Sequence, residues 1–156
     1  MRNINFNFIG YDNDYLKKIY SDIEIKYNEK DKCFYTLNGG GNGMLAIENS
    51  DIILNFDLET KRISGLDGYI GDLKLIQKEK LPAINSKKSG ILYVYSNEIF
   101  STGVAYEFKF DGNIKFDDVN KILIIGEFDD KNDTYNILKN VYIQLDKSLK
   151  CILIVL

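Results

Sequence analysis

The sequence predicts a mainly β fold, with antiparallel sheet arranged as a sandwich or a partly open barrel and one or two short helices. An α+β arrangement is the alternative. Two observations carry the prediction. Residues 2–8, 22–27 and 104–110 alternate apolar and polar side chains with period two, the mark of strands with one buried face. About ten strand-like runs recur at spacings of roughly 8–12 residues, the pattern of sandwiches and barrels.

Taken in order, Ile4, Phe6 and Phe8 share one face of the first run, and Asn3, Asn5 and Asn7 the other. Asp12-Asn13-Asp14 supplies the start signal for a helix with Tyr15, Leu16, Ile19 and Tyr20 on one side. Residues 22–27 and 33–37 read as a hairpin around Asn28-Glu29-Lys30-Asp31. A glycine-rich loop at 39–43 leads into a strand at 44–48. The stretch 52–71 reads as a second hairpin, with a strand at 52–56, a polar turn at 57–60 and a short return at 61–63. A glycine-punctuated loop closes it, and Asp67-Gly68 is a turn signal there. Residues 72–80 fit strand and helix equally well. Pro82, the only proline, sits in a connection before the strand 91–95. Asp111-Gly112-Asn113 reads as a hairpin turn joining 104–110 to 114–116. Residues 122–125 are apolar on both faces and so predict a central strand. Residues 129–133 read as a polar loop, and 141–145 with 149–156 form a closing hairpin. The expected core includes Tyr106, Phe108, Phe110, Ile122, Ile124, Ile143 and Leu153.

With 156 residues, 45% of them hydrophobic, the chain suits a single domain over 1–156 with a sizeable core. There are 23 acids against 20 bases, a balance that offers no general attraction to nucleic acid. No run approaches the roughly 20 apolar residues of a membrane span, and the first residues lack the apolar centre of a signal peptide. The expectation is a cytoplasmic protein with no membrane association. Cys33 and Cys151 are then expected as free, buried thiols. The absence of histidine excludes a Ser-His-Asp triad and a Cys-His pair within the chain. Two cysteines without histidine cannot build a four-ligand structural zinc site, so neither metal nor cofactor is expected.

The obvious motifs fail on inspection. The glycines at 39–43 precede Met44-Leu45-Ala46-Ile47 rather than the Lys-Ser/Thr of a phosphate loop. Counting from Asp129 as the first position of a calcium loop puts Lys131 third, Thr134 sixth and Asn140 twelfth, where an oxygen ligand, glycine and glutamate belong. Paired carboxylates such as Asp57 with Glu59 keep a hydrolase as a lesser alternative. No catalytic residue is assigned.

The most suggestive feature is acidic. Asp111, Asp117, Asp118, Glu127, Asp129, Asp130 and Asp133 face only Lys115, Lys121 and Lys131 over residues 111–133, a local −4 in a chain of −3. Several fall in turns, so hairpin packing is expected to gather them on one rim facing a basic partner. Tyr69, between glycines, is the candidate aromatic anchor.

Leu37-Asn38-Gly39 with the loop to Gly43, residues 57–63 with Asp67-Gly68-Tyr69-Ile70, and residues 122–128 together resemble bacterial toxin-immunity proteins of contact-dependent inhibition and other polymorphic toxin systems. The resemblance covers about a third of the chain and transfers no binding residue by position. It implies a small, cytosolic, non-enzymatic protein that neutralises a cognate toxin domain, commonly a basic nuclease. A small-molecule carrier built on a β-barrel is the alternative.

Overall fold

The computed structural model describes residues 3–20, 22–71, 84–110 and 113–156. Its elements in chain order are β1 (Ile4–Gly10), α1 (Asn13–Tyr20), β2 (Glu24–Asn28), β3 (Cys33–Leu37), β4 (Gly43–Ile47), β5 (Asp51–Phe56), β6 (Ile63–Tyr69), β7 (Ser86–Ser96), β8 (Ala105–Phe108), β9 (Ile114–Asp117), β10 (Ile122–Gly126), β11 (Thr134–Leu138), β12 (Val141–Leu145) and β13 (Leu149–Val155). Strand makes up 55% of the described residues and helix 6%. The general average is about 20–25% strand, so the α+β alternative falls away.

The strands form two sheets. One has seven strands in the order β1-β7-β11-β12-β13-β10-β9, the other six in the order β2-β3-β6-β5-β4-β8. Pairing is antiparallel except for β11 with β7 and β4 with β8, which run parallel. The sheets face each other over one apolar core. Phe34, Leu45, Leu54, Phe56 and Leu66 come from the six-stranded sheet, and Leu92, Val94, Phe116, Leu123 and Ile152 from the seven-stranded one. Ring contacts cross the interior between Phe6 and Phe108 and between Tyr27 and Phe116. At one corner the chain ties the sheets together: Arg62 bridges Tyr93, and the Val94 amide donates to the Lys61 carbonyl at 2.9 Å. The barrel is not closed, and the arrangement is sandwich-like.

The one helix among the described residues starts where the sequence signals it, with the Asp12 carboxylate accepting from the Tyr15 amide at 2.8 Å. Asp67-Gly68 behaves differently from its turn signal. Asp67 and Gly68 lie inside β6, which runs unbroken from Ile63 to Tyr69. Tertiary bonds override the local preference there. The Asp67 carboxylate accepts from the Thr36 amide at 2.9 Å and from the Asn55 side-chain amide at 2.7 Å. The expected hairpin pairing of 104–110 with 114–116 does not form, because β8 and β9 belong to different sheets; Asp111 and Gly112 lie outside the described residues. Tyr106, Phe110, Ile124, Ile143 and Leu153 are buried as expected. Phe108 and Ile122 are only half-buried. The segment 72–80, ambiguous in sequence, lies outside the described residues, as does Pro82.

Candidate partner-binding site

The strand β10 is apolar on both faces because each face meets something. Leu123 and Ile125 enter the main core. Ile124 joins Cys151 and Leu153 in a second, smaller cluster on the outer face of the seven-stranded sheet. Gly126 then ends the strand with φ of 88°, and a Cβ there would lie 2.2 Å from the Lys150 carbonyl oxygen, so only glycine fits. Beyond it the chain turns back over the sheet. Phe128 packs against the outer cluster.

A second fastening is polar. Gln144 on β12 is fully buried and spends its whole amide on the loop 127–133 and its margin. Its Oε1 accepts from the Asp129 amide at 2.9 Å. Its Nε2 lies 2.7 Å from the Asp129 carbonyl, 3.3 Å from the Asn132 carbonyl and 3.3 Å from the Thr134 hydroxyl. Within the loop the Asp129 carboxylate accepts from the Lys131 amide at 2.9 Å, and the Asn132 amide donates to the Asp129 carbonyl at 3.0 Å. The backbone is thus held from beneath while the acids stay outside. Glu127, Asp129, Asp130 and Asp133 are all exposed, with only Lys131 between them.

The other candidate acids are elsewhere. Asp117 and Asp118 lie at the β9–β10 turn, beside Ile122, whereas the loop 127–133 leaves the opposite end of β10. The length of β10 at about 3.3 Å per residue therefore separates the two groups. The single acidic rim expected from the sequence does not form, because each strand carries the chain from one end of the sheet to the other. Asp111 lies outside the described residues.

Asp117 is also committed within the chain. It is 4% exposed and accepts from the Asn120 side chain at 2.8 Å and from the Asn120 and Val119 amides at 3.1 and 3.0 Å. The Asn120 side-chain bond first, then these amides, hold its carboxyl below the ordinary range. Asp118 is exposed but paired with Lys121 at 2.7 Å, and that lysine also meets Glu29 at 3.0 Å. Hydrogen bonding to Lys121 lowers the Asp118 pKa, and the same bond raises that of the lysine.

Tyr69 is not on a loop. It ends β6 opposite Cys33 and Asp51, on the outer face of the six-stranded sheet and 39% exposed. The Ile70 amide donates to the Lys32 carbonyl at 2.8 Å, which ties this end of β6 to the β2–β3 turn that carries Glu29. Tyr69 therefore neighbours the Glu29–Lys121–Asp118 group rather than the loop 127–133.

Known proteins offer no guide. The chain matches no protein-family model, no curated protein and no solved structure. The remaining chemistry is sparse. Cys151 is buried, and burial pushes its thiol up to about 12, so it is no nucleophile at neutral pH. Cys33 is half-buried and donates its thiol to the Asp31 carbonyl. Among the described residues no group of three or more acids and cysteines is placed to hold a metal ion. No helix among them is long and apolar enough to cross a membrane.

Sequence reasoning missed the two residues that organise the loop. Phe128 looks like the tail of an apolar run, and Gln144 is an isolated polar residue in Val141-Tyr142-Ile143-Gln144-Leu145. A glutamine inside an otherwise apolar strand was the available signal, since buried amides are almost always bonded.

Proposed function

We propose that this chain is a non-enzymatic immunity protein that acts in the cytoplasm and neutralises a basic toxin domain through the loop 127–133. The observation that carries the reading is the fastening of that loop. Exposed carboxylates at Glu127, Asp129 and Asp130 ride on a backbone fixed by Phe128 and Gln144. A prearranged loop spends little ordering entropy on binding. Adjacent carboxylates suit the planar fork of an arginine, and an acidic loop speeds encounter with a basic surface. Asp118 and Tyr69 lie outside this footprint and contribute little to it.

The test uses the toxin domain encoded beside this chain's own gene. Wild type is expected to bind it and to protect cells that express it. Losing a buried charge partner costs about 2–5 kcal/mol, so Asp129→Lys/Asp130→Lys should weaken binding some 30-fold or more and end protection. Asp118→Lys should change affinity less than about threefold, as expected of an exposed paired charge. Full protection by the double variant would sink the loop as the binding site. No affinity of wild type for the neighbouring product would sink the immunity reading.

One observation favours the carrier reading as second choice. A cleft of about 470 Å³ opens between the sheets, floored by Ile4, Phe6, Phe108 and Phe110 and edged by Glu48 and Glu107. Ligand sites are typically of this size, about 300–1,000 Å³. An apolar fluorescent probe should bind stoichiometrically if this is the function, and Phe108→Asp should abolish its binding. No saturable probe binding would remove the reading.

A further inference from the structure

The two sheets have four edge strands: β1 and β9 on one, β2 and β8 on the other. Exposed edges invite pairing with another chain, and proteins blunt them by shortness, charge, proline or bulges. Three of these edges are blunted. β9 and β8 are four residues long and carry Lys115 and Glu107. β2 carries Glu24 and Lys26, which pair with each other at 3.3 Å. β1 has none of these devices. It runs seven residues, Ile-Asn-Phe-Asn-Phe-Ile-Gly, without charge or proline, and its register against β7 is unbroken from Ile4 to Gly10. β1 pairs only with β7 among the described residues, none of which pairs with its other edge. Its inward side chains Ile4, Phe6 and Phe8 remain half-exposed although they touch the core.

From these observations we infer that β1 pairs antiparallel with β1 of a second copy, joining two seven-stranded sheets across a twofold axis at Phe6. In this register Phe6 meets its own copy, Ile4 meets Phe8 of the second copy, and Asn5 meets Asn7. Apolar side chains then fall on apolar ones along the inner face. Asparagine amides meet across the outer face, where both residues are exposed. Twofold interfaces are self-complementary, and this segment is nearly palindromic in character. It carries no charge that would repel its copy. Pairing would close the open backbone and cover the half-exposed Ile4, Phe6 and Phe8 together. The inference stands independently of the toxin-binding proposal, because it rests on β1 and its pairing with β7 and uses no residue of the loop 127–133.

Sedimentation equilibrium at a series of concentrations tests it with three proteins. Wild type should sediment at twice the 18.0 kDa of the chain. Asn5→Lys/Asn7→Lys sets lysines directly opposite lysines at two points, and like charges facing across strands repel. It should raise the dimer dissociation constant at least tenfold, with an unchanged circular dichroism spectrum, because both positions face solvent. Asn5→Lys/Asn7→Glu sets Lys opposite Glu twice in this register and should restore the dimer. The registers centred on Asn5 or Asn7 would oppose like charges in that variant instead. A monomeric wild type, a dimer untouched by the double lysine variant, or no rescue by the Lys/Glu variant would each overturn the inference.

Discussion

Phe56→Ala is expected to cost about 3–5 kcal/mol, a large part of the roughly 5–15 kcal/mol that holds a domain of this size together. Phe56 has no exposed surface, and its ring meets that of Phe100 edge-on at a centroid distance of 4.9 Å. On the β4 side no side chain stands opposite to refill the space. Gly43 pairs with Phe56, and a Cβ on Gly43 would lie 2.5 Å from the ring. The glycine makes room for the phenylalanine, and when the ring is removed that room becomes a cavity. Phe108→Ala makes the contrast. Phe108 is half-buried at the open side of the sandwich, where solvent can enter, so its loss should cost only about 1–2 kcal/mol. Urea unfolding at constant m-value measures both. If Phe108→Ala costs as much as Phe56→Ala, the core is centred differently from the structure described above.

The period-two strands were legible because alternation reports a single buried face, and Ile4, Phe6 and Phe8 or Tyr106 and Phe108 need nothing else to be read. The failures share one cause. Asp67-Gly68 reads as a turn until Thr36 and Asn55 are brought alongside, and those partners lie 31 and 12 residues away in sequence. β11 was missed for a similar reason. Its Thr-Tyr-Asn-Ile-Leu does not alternate, because a register shift interrupts its pairing with β12 after Asn136, and its other neighbour is a parallel partner almost 50 residues earlier. The acidic site was half legible. Composition locates the charge between residues 111 and 133, but which end of the sheet each acid occupies depends on strand direction. Asp117 is the clearest case, since a turn aspartate that bonds Val119 and Asn120 has the same sequence signature as one that waits for a partner.

Gln144→Leu should separate the loop from the sheet that carries it. Leucine matches the glutamine closely in volume and sits beside the apolar Cys151 opposite it, so β12 and its pairing with β13 should persist. Three hydrogen bonds to the loop and one to Thr134 are lost at about 1 kcal/mol each, partly recovered from water once the loop backbone loosens, for a net cost of about 2–3 kcal/mol. The local effect is larger than the global one. The Asp129 amide, now without its acceptor, should exchange hydrogen at least tenfold faster, while amides in β12 and β13 stay protected. Binding to the toxin domain should weaken about 10- to 100-fold with every acid still present, because the partner must then order a loop that was ordered before. Gln144→Glu keeps an acceptor for the Asp129 amide but turns an oxygen toward the carbonyls of Asp129 and Asn132, so it should destabilise the protein more than leucine does. Unchanged exchange at Asp129 in the leucine variant would show that Phe128 alone holds the loop. Faster exchange with unchanged affinity would show that the acids act through charge and not through their fixed arrangement.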